Sequence, residues 1–403
     1  MAIICVCGIG LPLMNVVHLN HSFVVGSGID EVIRNLMKYA HSHGHFAELV
    51  CTVADSSMIE SVKPAQVFGD LNRKRTLIPH SYGLLPSTLG RIAARASTSI
   101  FKSWSFVEKR IKAANVVHAH FYPYNAHVLL SKPKGKRLVV HNYGVPDDLS
   151  GYGFKDSLFL KAAKRSEYLF SEADLVISIS DFLRNELLER TGTDSIVIPP
   201  GVDPSEYYFS NMYRKSVRER YKISDETYVV LYVGQLAPHK RVDLLIQAFK
   251  LVREEKDAML LITADQSKNE FNLRKLVGRL SLEDSILFIR PETETVPWLQ
   301  PYYSACDVCA SCSEWEGFGL PFIEAAACGK PSVGFDCVPS ILDLTNLGLG
   351  IAVHQHTTEA FADALINAKN LRWEANAKRK ISERYNWQNL YERIMKAYLA
   401  CGR

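Results

Sequence analysis

The feature that most limits how this chain can fold is an alternation of short, β-rich apolar runs with segments of helical spacing, interrupted once near the middle. In the first half such runs stand at Asn15 to Leu19, Ala47 to Val53, Val116 to Ala119, Leu138 to His141, Leu175 to Ser178 and Ser195 to Ile198, with a helix expected from about Ile29. Ile198 to Asp203, reading IPPGVD, then breaks the pattern with two prolines and a glycine. A second series follows at Tyr228 to Val233, Met259 to Thr263, Ile286 to Ile289, Val308 to Ala310 and Ser332 to Phe335. Strand–helix alternation predicts parallel sheets covered by helices. The expected fold is therefore α/β: two Rossmann-like, doubly wound domains facing across a ligand-holding cleft, with a hinge near residues 199 to 212. The division expected is a first domain over 1–200 and a second over 201–385. The segment 386–403 starts at an N-cap residue, Asn386, and reads as a C-terminal helix.

With 403 residues, two cores are the natural reading. A net charge of +4 on 22% charged residues is too mild for a nucleic-acid binder. The nine cysteines, an odd number, fit a reducing cytoplasm better than a disulfide framework. Cys306, Cys309 and Cys312 recur every third residue, which does not place them on one face of a strand, so buried structural thiols are expected there rather than a metal centre. No apolar run is long enough to span a bilayer. Met1 to Leu13 lacks the basic start of a secretion signal and reads as an upstream extension, with translation beginning at Met14.

Chemistry concentrates in Ser313 to Asp336, SEWEGFGLPFIEAAACGKPSVGFD. Pro321 suits a helix start and Gly329 the residue after its end, so Glu316 falls in the preceding loop and Glu324 about one turn inside the helix. Both carboxylates and the amides of Gly317, Phe318, Gly319 and Leu320 are then expected to face one spot ahead of a helix N-terminus. Free N–H groups and the helix dipole attract phosphate there, while carboxylates accept protons from sugar hydroxyls. The plain alternative is an ordinary acidic first turn.

This segment resembles the retaining GT-B glycosyltransferases that carry two glutamates at this spacing (glycosyl transferases group 1, family 4). The resemblance implies that Glu316 contacts the donor sugar and Glu324 the ribose hydroxyls of a nucleotide sugar. It extends to Gly234 to Lys240, GQLAPHK, where Lys240 matches a lysine that grips the donor diphosphate. Gln235 stands where the family usually has arginine, which leaves an uncharged amide in place of a bidentate phosphate clamp. Arg290 closes the strand ILFIR, in a region that by resemblance lines the pocket for the base, although a surface charge is an equal reading. Gly26 and Gly28, in GSGIDEV, resemble the glycine-rich loop near donor phosphate and acceptor.

Many family members place a histidine after a first-domain strand, in contact with the donor sugar. Here GKRLVVHNYGVP puts Tyr143 on that position, with His141 two residues earlier and, by strand alternation, on the same side. His141 is the favoured contact and Tyr143 its rival. His118 and His120 form a His-x-His pair, but the sequence offers no third metal ligand, and a structural role near the cleft is expected. His41, His43 and His45 read as a helix end and turn.

No Asp-x-Asp pair occurs, so a metal-clamped diphosphate has no evident ligands, and Lys240, loop amides and a helix dipole are expected to meet the leaving charge without any metal or other cofactor. The resemblance implies hexose transfer, with retention, from a UDP- or GDP-linked sugar to a glycan or lipid-linked acceptor in cell-surface polysaccharide or glycoconjugate synthesis. Asn72 to Arg75 is NRKR, and Pro86 to Ala114 carries six basic residues against Glu108, a pattern that suits peripheral contact with anionic lipid at the inner face of the cell membrane. Solvated helix faces are the competing explanation. A catalytically weak partner subunit, a glycan-binding protein or a sugar-nucleotide epimerase are the alternative functions.

Overall fold

The computed structural model describes residues 12–24, 27–51, 53–68, 107–264, 268–290, 299–371 and 377–401. Two compact units emerge. Unit 1 combines Met1–Asp147, Tyr152–Pro199 and Leu390–Arg403, and unit 2 combines Asp148–Gly151 with Pro200–Asn389.

Unit 1 contains β1 (Asn15–Leu19), β2 (Ser22–Phe23), β3 (Phe46–Val50), β4 (Val53–Ala54), β5 (Gln66–Phe68), β6 (Val116–Ala119), β7 (Arg137–Asn142), β8 (Leu175–Ser178) and β9 (Ile196–Val197). Seven of these form one sheet in the order β5-β3-β1-β6-β7-β8-β9, parallel throughout. Strand order therefore reverses between β1 and β6. The run expected over Ala47 to Val53 is divided: β3 stays in the large sheet, whereas β4 pairs with β2 in a separate two-stranded ribbon. Inward side chains Val17, Leu19, Val50, Val117, Ala119 and Leu138 build the core on one face. Val107 and Ile111 join them from the helical residues 107–113, and Ala114 from just after that helix.

The basic stretch enters that description only through its last residues, and NRKR lies outside the described residues. Within the described part, Arg110 pairs with Glu48 at 3.2 Å and lies 3.8 Å over the ring of Phe68, so this cation is engaged inside unit 1. Among the described residues no helix is long and apolar enough to cross a membrane.

Unit 2 holds β10 (Tyr228–Val233), β11 (Ala258–Thr263), β12 (Ile286–Ile289), β13 (Val308–Ser311), β14 (Ser332–Phe335) and β15 (Gly350–Val353). The sheet order is β12-β11-β10-β13-β14-β15, again parallel, with its reversal between β10 and β13. These strands are close to continuous apolar runs because helices cover both faces. The helix Val242–Glu255 shows the matching pattern: Val242, Leu245, Ile246, Phe249 and Val252 are buried at helical spacing. Cys306, Cys309, Cys312 and Cys328 are buried free thiols in this core, as their spacing led us to expect for the first three.

The C-terminal helix Trp387–Ala400 begins where expected and contributes its residues from Leu390 onward to unit 1. Tyr391, Ile394, Met395 and Tyr398 form its buried stripe. Tyr391 packs against the rings of Tyr39, His43 and His45. His43 closes the helix Gly28–Ser42, and Gly44 turns the chain at φ 76°, so the histidine-rich segment is the helix end and turn its sequence suggested.

Candidate functional site

Open parallel sheets bind ligands beyond the carboxyl ends of their strands, at the point where strand order reverses. In unit 2 that point is served by the loops after β10 and β13, which run side by side because the two strands are paired through Val230↔Val308 and Leu231↔Cys309. The first loop leads through a short 3₁₀ turn, Pro238–Lys240, into the helix Val242–Glu255. The second leads into the helix Leu320–Ala327. A backbone hydrogen bond from Glu314 N to His239 O, 2.9 Å, ties the loops together.

Across this tie the side chains of Lys240 and Glu316 form an ion pair, with 15% and 19% of each exposed. Ser313 Oγ donates to Glu316 Oε1 at 3.1 Å and lies 3.0 Å from Ser311 Oγ, so the carboxylate is held from two sides. Arg241, one residue on, adopts φ 44° and turns instead to Glu314 and Asp243. His239 is partly buried, and desolvation, followed by the neighbouring Lys240 charge, lowers its pKa to about 4, so a neutral imidazole stands beside the pair. Its ring meets Trp315 edge-on at 6.1 Å. Gln235 is exposed, and its backbone oxygen accepts a 2.6 Å hydrogen bond from Tyr232 Oη.

Gly319 caps the helix Leu320–Ala327 at φ 95°, and a Cβ there would come within 2.5 Å of Ser340 Oγ and 2.7 Å of Val338 Cγ1. Only glycine suits both the conformation and the space. The helix start carries no side-chain cap, which leaves amide donors at its N-terminus for a ligand. Gly317 and Phe318 are buried behind it, Phe318 beside Tyr385, and Leu320 is half-buried. Gly329 follows the helix at φ 73°, as its position in the sequence required. Glu324 is only 5% exposed, and its Oε2 accepts from Tyr303 Oη at 2.6 Å. The two glutamates thus differ: Glu316 sits half-buried in the loop against a cation, and Glu324 is held inside by a phenol. Arg290 donates to Ala264 O at 2.8 Å and pairs with Glu270, which makes it a tie between the ends of β11 and β12. Asp203 caps its own turn by accepting from Ser205.

In unit 1 the reversal point carries a different chemistry. Gly28 opens the helix Gly28–Ser42, with Ser27 as its N-cap, while Gly26 lies outside the described residues. Asp30, fully buried, accepts from Asn20 Nδ2 (2.7 Å), Ser22 Oγ (2.9 Å) and Val24 N (3.0 Å), and so shapes the loop after β1. Burial pushes its carboxyl up to about 6 against those bonds. His141 and Tyr143 do share a side, with ring centroids 4.6 Å apart, but both are buried, at 2% and 8% exposure. Among the described residues His141 Nε2 has no hydrogen-bond partner.

Comparison with known proteins is consistent with both halves. Residues 26–206 match the model of Glycosyltransferase Family 4, and residues 214–386 match that of Glycosyl transferases group 1. The chain belongs to the GT-B glycosyltransferases. It is 32% identical over 186 residues to the D-inositol 3-phosphate glycosyltransferase of Pseudarthrobacter chlorophenolicus, a match covering 44% of this chain and 43% of that protein. The chain spans about half the length of the first curated relatives it matches. Among solved structures it resembles the sucrose-phosphate synthase of Thermosynechococcus elongatus (TM-score 0.73, 18% identity, 96% of this chain and 98% of that one). It also resembles HepE of Anabaena in complex with UDP and glucose (TM-score 0.72, 19% identity, 96% of this chain and 100% of that one).

Several residues of this GT-B chain that shape its candidate sites escaped sequence reasoning. Ser313 and Tyr303 support the two glutamates, yet a lone serine and a helix tyrosine carry no signal of that work. Asp30 sits two residues after a glycine-rich turn, where an acid reads as a routine first-turn residue. A cavity of about 510 Å³ lies at the other edge of the second sheet, where Tyr228, Asp257, Asp307 and Pro331 stand at or before strand starts. Its position at the amino ends of the strands argues against it as the ligand site of this fold.

Proposed function

We propose that the protein transfers a hexose from a UDP- or GDP-linked sugar to a glycan or lipid-linked acceptor, with retention of configuration and no metal requirement. The observation that carries this reading is the Lys240–Glu316 pair, held by Ser313 at the reversal point of the second sheet. Lys240, with amides at the start of the helix Leu320–Ala327, would meet the developing charge on the diphosphate. Glu316 would accept from donor-sugar hydroxyls and Glu324 from the ribose, by the family pattern. Binding of an anion to Lys240 releases Glu316 from its ion pair, which makes the carboxylate available as diphosphate arrives. Of the two first-domain candidates His141 keeps the family-derived role at the donor sugar, since the Tyr143 hydroxyl is engaged with His120, and Arg290 keeps the role near the base. The solved HepE complexes with UDP and with UDP-glucose, and the names of the curated relatives, support a nucleotide-sugar donor. Synthesis of cell-surface glycans on the cytoplasmic side of the membrane fits a lipid-linked acceptor.

Gln235 favours a second reading, a weakened partner subunit, because the phosphate-clamping guanidinium is missing. Calorimetry with UDP and GDP separates the two. A working donor site binds one of them in the micromolar range, on the order of −8 kcal/mol, and releases that nucleotide from a panel of donors when acceptor is supplied. Chelator leaves the rate unchanged. Absence of nucleotide binding would leave the weakened-subunit reading standing, and consumption of donor without acceptor would point to an epimerase.

A further inference from the structure

Four histidines occupy adjoining positions on one face of the first sheet. His18 and His118 are registered partners across β1 and β6. His120 and His141 follow one step beyond the registered pair Ala119↔Val140. Strand alternation puts His118 and His120 on the same side. All four are 2% exposed or less. Such an array is an expensive way to fill a core, since burying polar rings is favourable only when their nitrogens are satisfied.

The bonding pattern divides each ring into an outer and an inner nitrogen. His118 Nδ1 meets Tyr398 Oη at 2.7 Å, and His120 Nδ1 meets Tyr143 Oη at 2.8 Å. Their Nε2 atoms point inward: His120 Nε2 is 3.0 Å from His18 Nδ1, and His118 Nε2 is 3.3 Å from His141 Nδ1. One nitrogen each from His18, His118 and His120 lie within 4.8 Å of one another. Tetrahedral zinc with bonds of roughly 2.0–2.1 Å separates its nitrogen ligands by about 3.3 Å. Metal-binding histidines also anchor their second ring nitrogen to a polar partner, the part taken here by Tyr143 and Tyr398.

We propose that His18, His118 and His120 form a buried site for a zinc-type divalent cation in unit 1. The sequence showed only the His-x-His pair, and the third ligand comes from β1 through the sheet register. Imidazole sets of this kind suit zinc. The ion would bind β1 to β6 and, through Tyr398, to the C-terminal helix. Its role is stabilisation of unit 1, separate from the transfer reaction proposed above.

The test uses the full chain carrying His354→Ala and His356→Ala. These remove an exposed histidine pair that contacts Asp336 at 2.8 and 2.9 Å and would bind zinc adventitiously. After dialysis against zinc and then metal-free buffer, about one zinc per chain is expected. Cobalt(II) in its place should give the strong visible absorption of a four-coordinate ion. Stripping with chelator should lower Tm by several degrees, and zinc alone should restore it. His18→Ala and His120→Ala should each abolish retention. Zinc kept in those variants, zinc below roughly a tenth of an equivalent in the parent, or a Tm indifferent to chelator and zinc would each overturn the site and leave a purely hydrogen-bonded array. Should either variant fail to fold, the cobalt spectrum and the Tm response of the parent chain decide.

Discussion

The two sheets repeat one topology and use it in opposite ways. Each reverses strand order beside its first strand, between β1 and β6 in unit 1 and between β10 and β13 in unit 2. In unit 2 the strands at the reversal point are packed with apolar and small side chains, and polarity begins only in the loops beyond them, at Lys240, Ser313 and Glu316. In unit 1 polarity lies within the strands themselves, as buried His18, His118 and His141, with tyrosines and Asp30 around them. Topology sets where a ligand can approach, and the side chains grafted there set what the place can do. An apolar strand with charged loops leaves charge accessible to a substrate. A polar strand interior commits its groups to one another or to an ion.

In the metal-free chain the largest expected contrast is in acid. Burial depresses the pKa values of His18 and His141 to about 3, and holds those of His118 and His120 well below the usual 6.5. Below pH 6.5 the unfolded chain takes up protons that the folded array refuses. Stability is therefore complete above 6.5 and is lost as pH falls towards the folded values, by roughly 1.4 kcal/mol per histidine per pH unit. Unit 1 should lose its amide protection between pH 6 and 4 while unit 2 keeps its own, read by hydrogen exchange resolved along the chain. Simultaneous loss in both units would erase the distinction drawn here.

Next in size is Lys240→Ala. Removal of a preorganised cation that meets developing charge costs about 10²–10³ in turnover. A drop of that order in kcat/KM, with Tm within about 2 °C of the parent, places Lys240 in the chemistry. A variant that transfers sugar at close to the parental rate would remove the basis for the unit 2 site. The smallest effect expected is a gain. Gln235→Arg restores a charged fork at an exposed position and should tighten UDP or GDP binding by about tenfold, near 1.4 kcal/mol. Unchanged affinity would mean that this position does not face the diphosphate.

Much of this contrast was written in the sequence, though unevenly. Strands such as Val116–Ala119, Leu175–Ser178 and Tyr228–Val233 announce themselves as bounded apolar runs, and β15 and β5 do not, because GIAV opens on glycine and QVF offers only two apolar residues after a glutamine. Gly329 was legible as a helix boundary because capping is a local interaction. The meeting of Lys240 with Glu316, 76 residues apart, could be expected only through family resemblance. Glu324 shows the limit of local reasoning: its helix position was evident, but the helix Gln300–Ala305, which carries Tyr303, encloses it.

By itself the sequence determined what depends on near neighbours: the strand–helix alternation, the helix caps, the glycine at position 319 and the loop that carries Glu316. These follow from backbone sterics and from hydrogen bonds closed within a few residues, so a linear string contains them. Tertiary structure alone decided which distant groups share a space, namely Lys240 with Glu316, Tyr303 with Glu324, and His18 with the pair at 118 and 120. Sheet register and strand order set those encounters, and both arise from burial summed over the whole chain, which no short segment encodes.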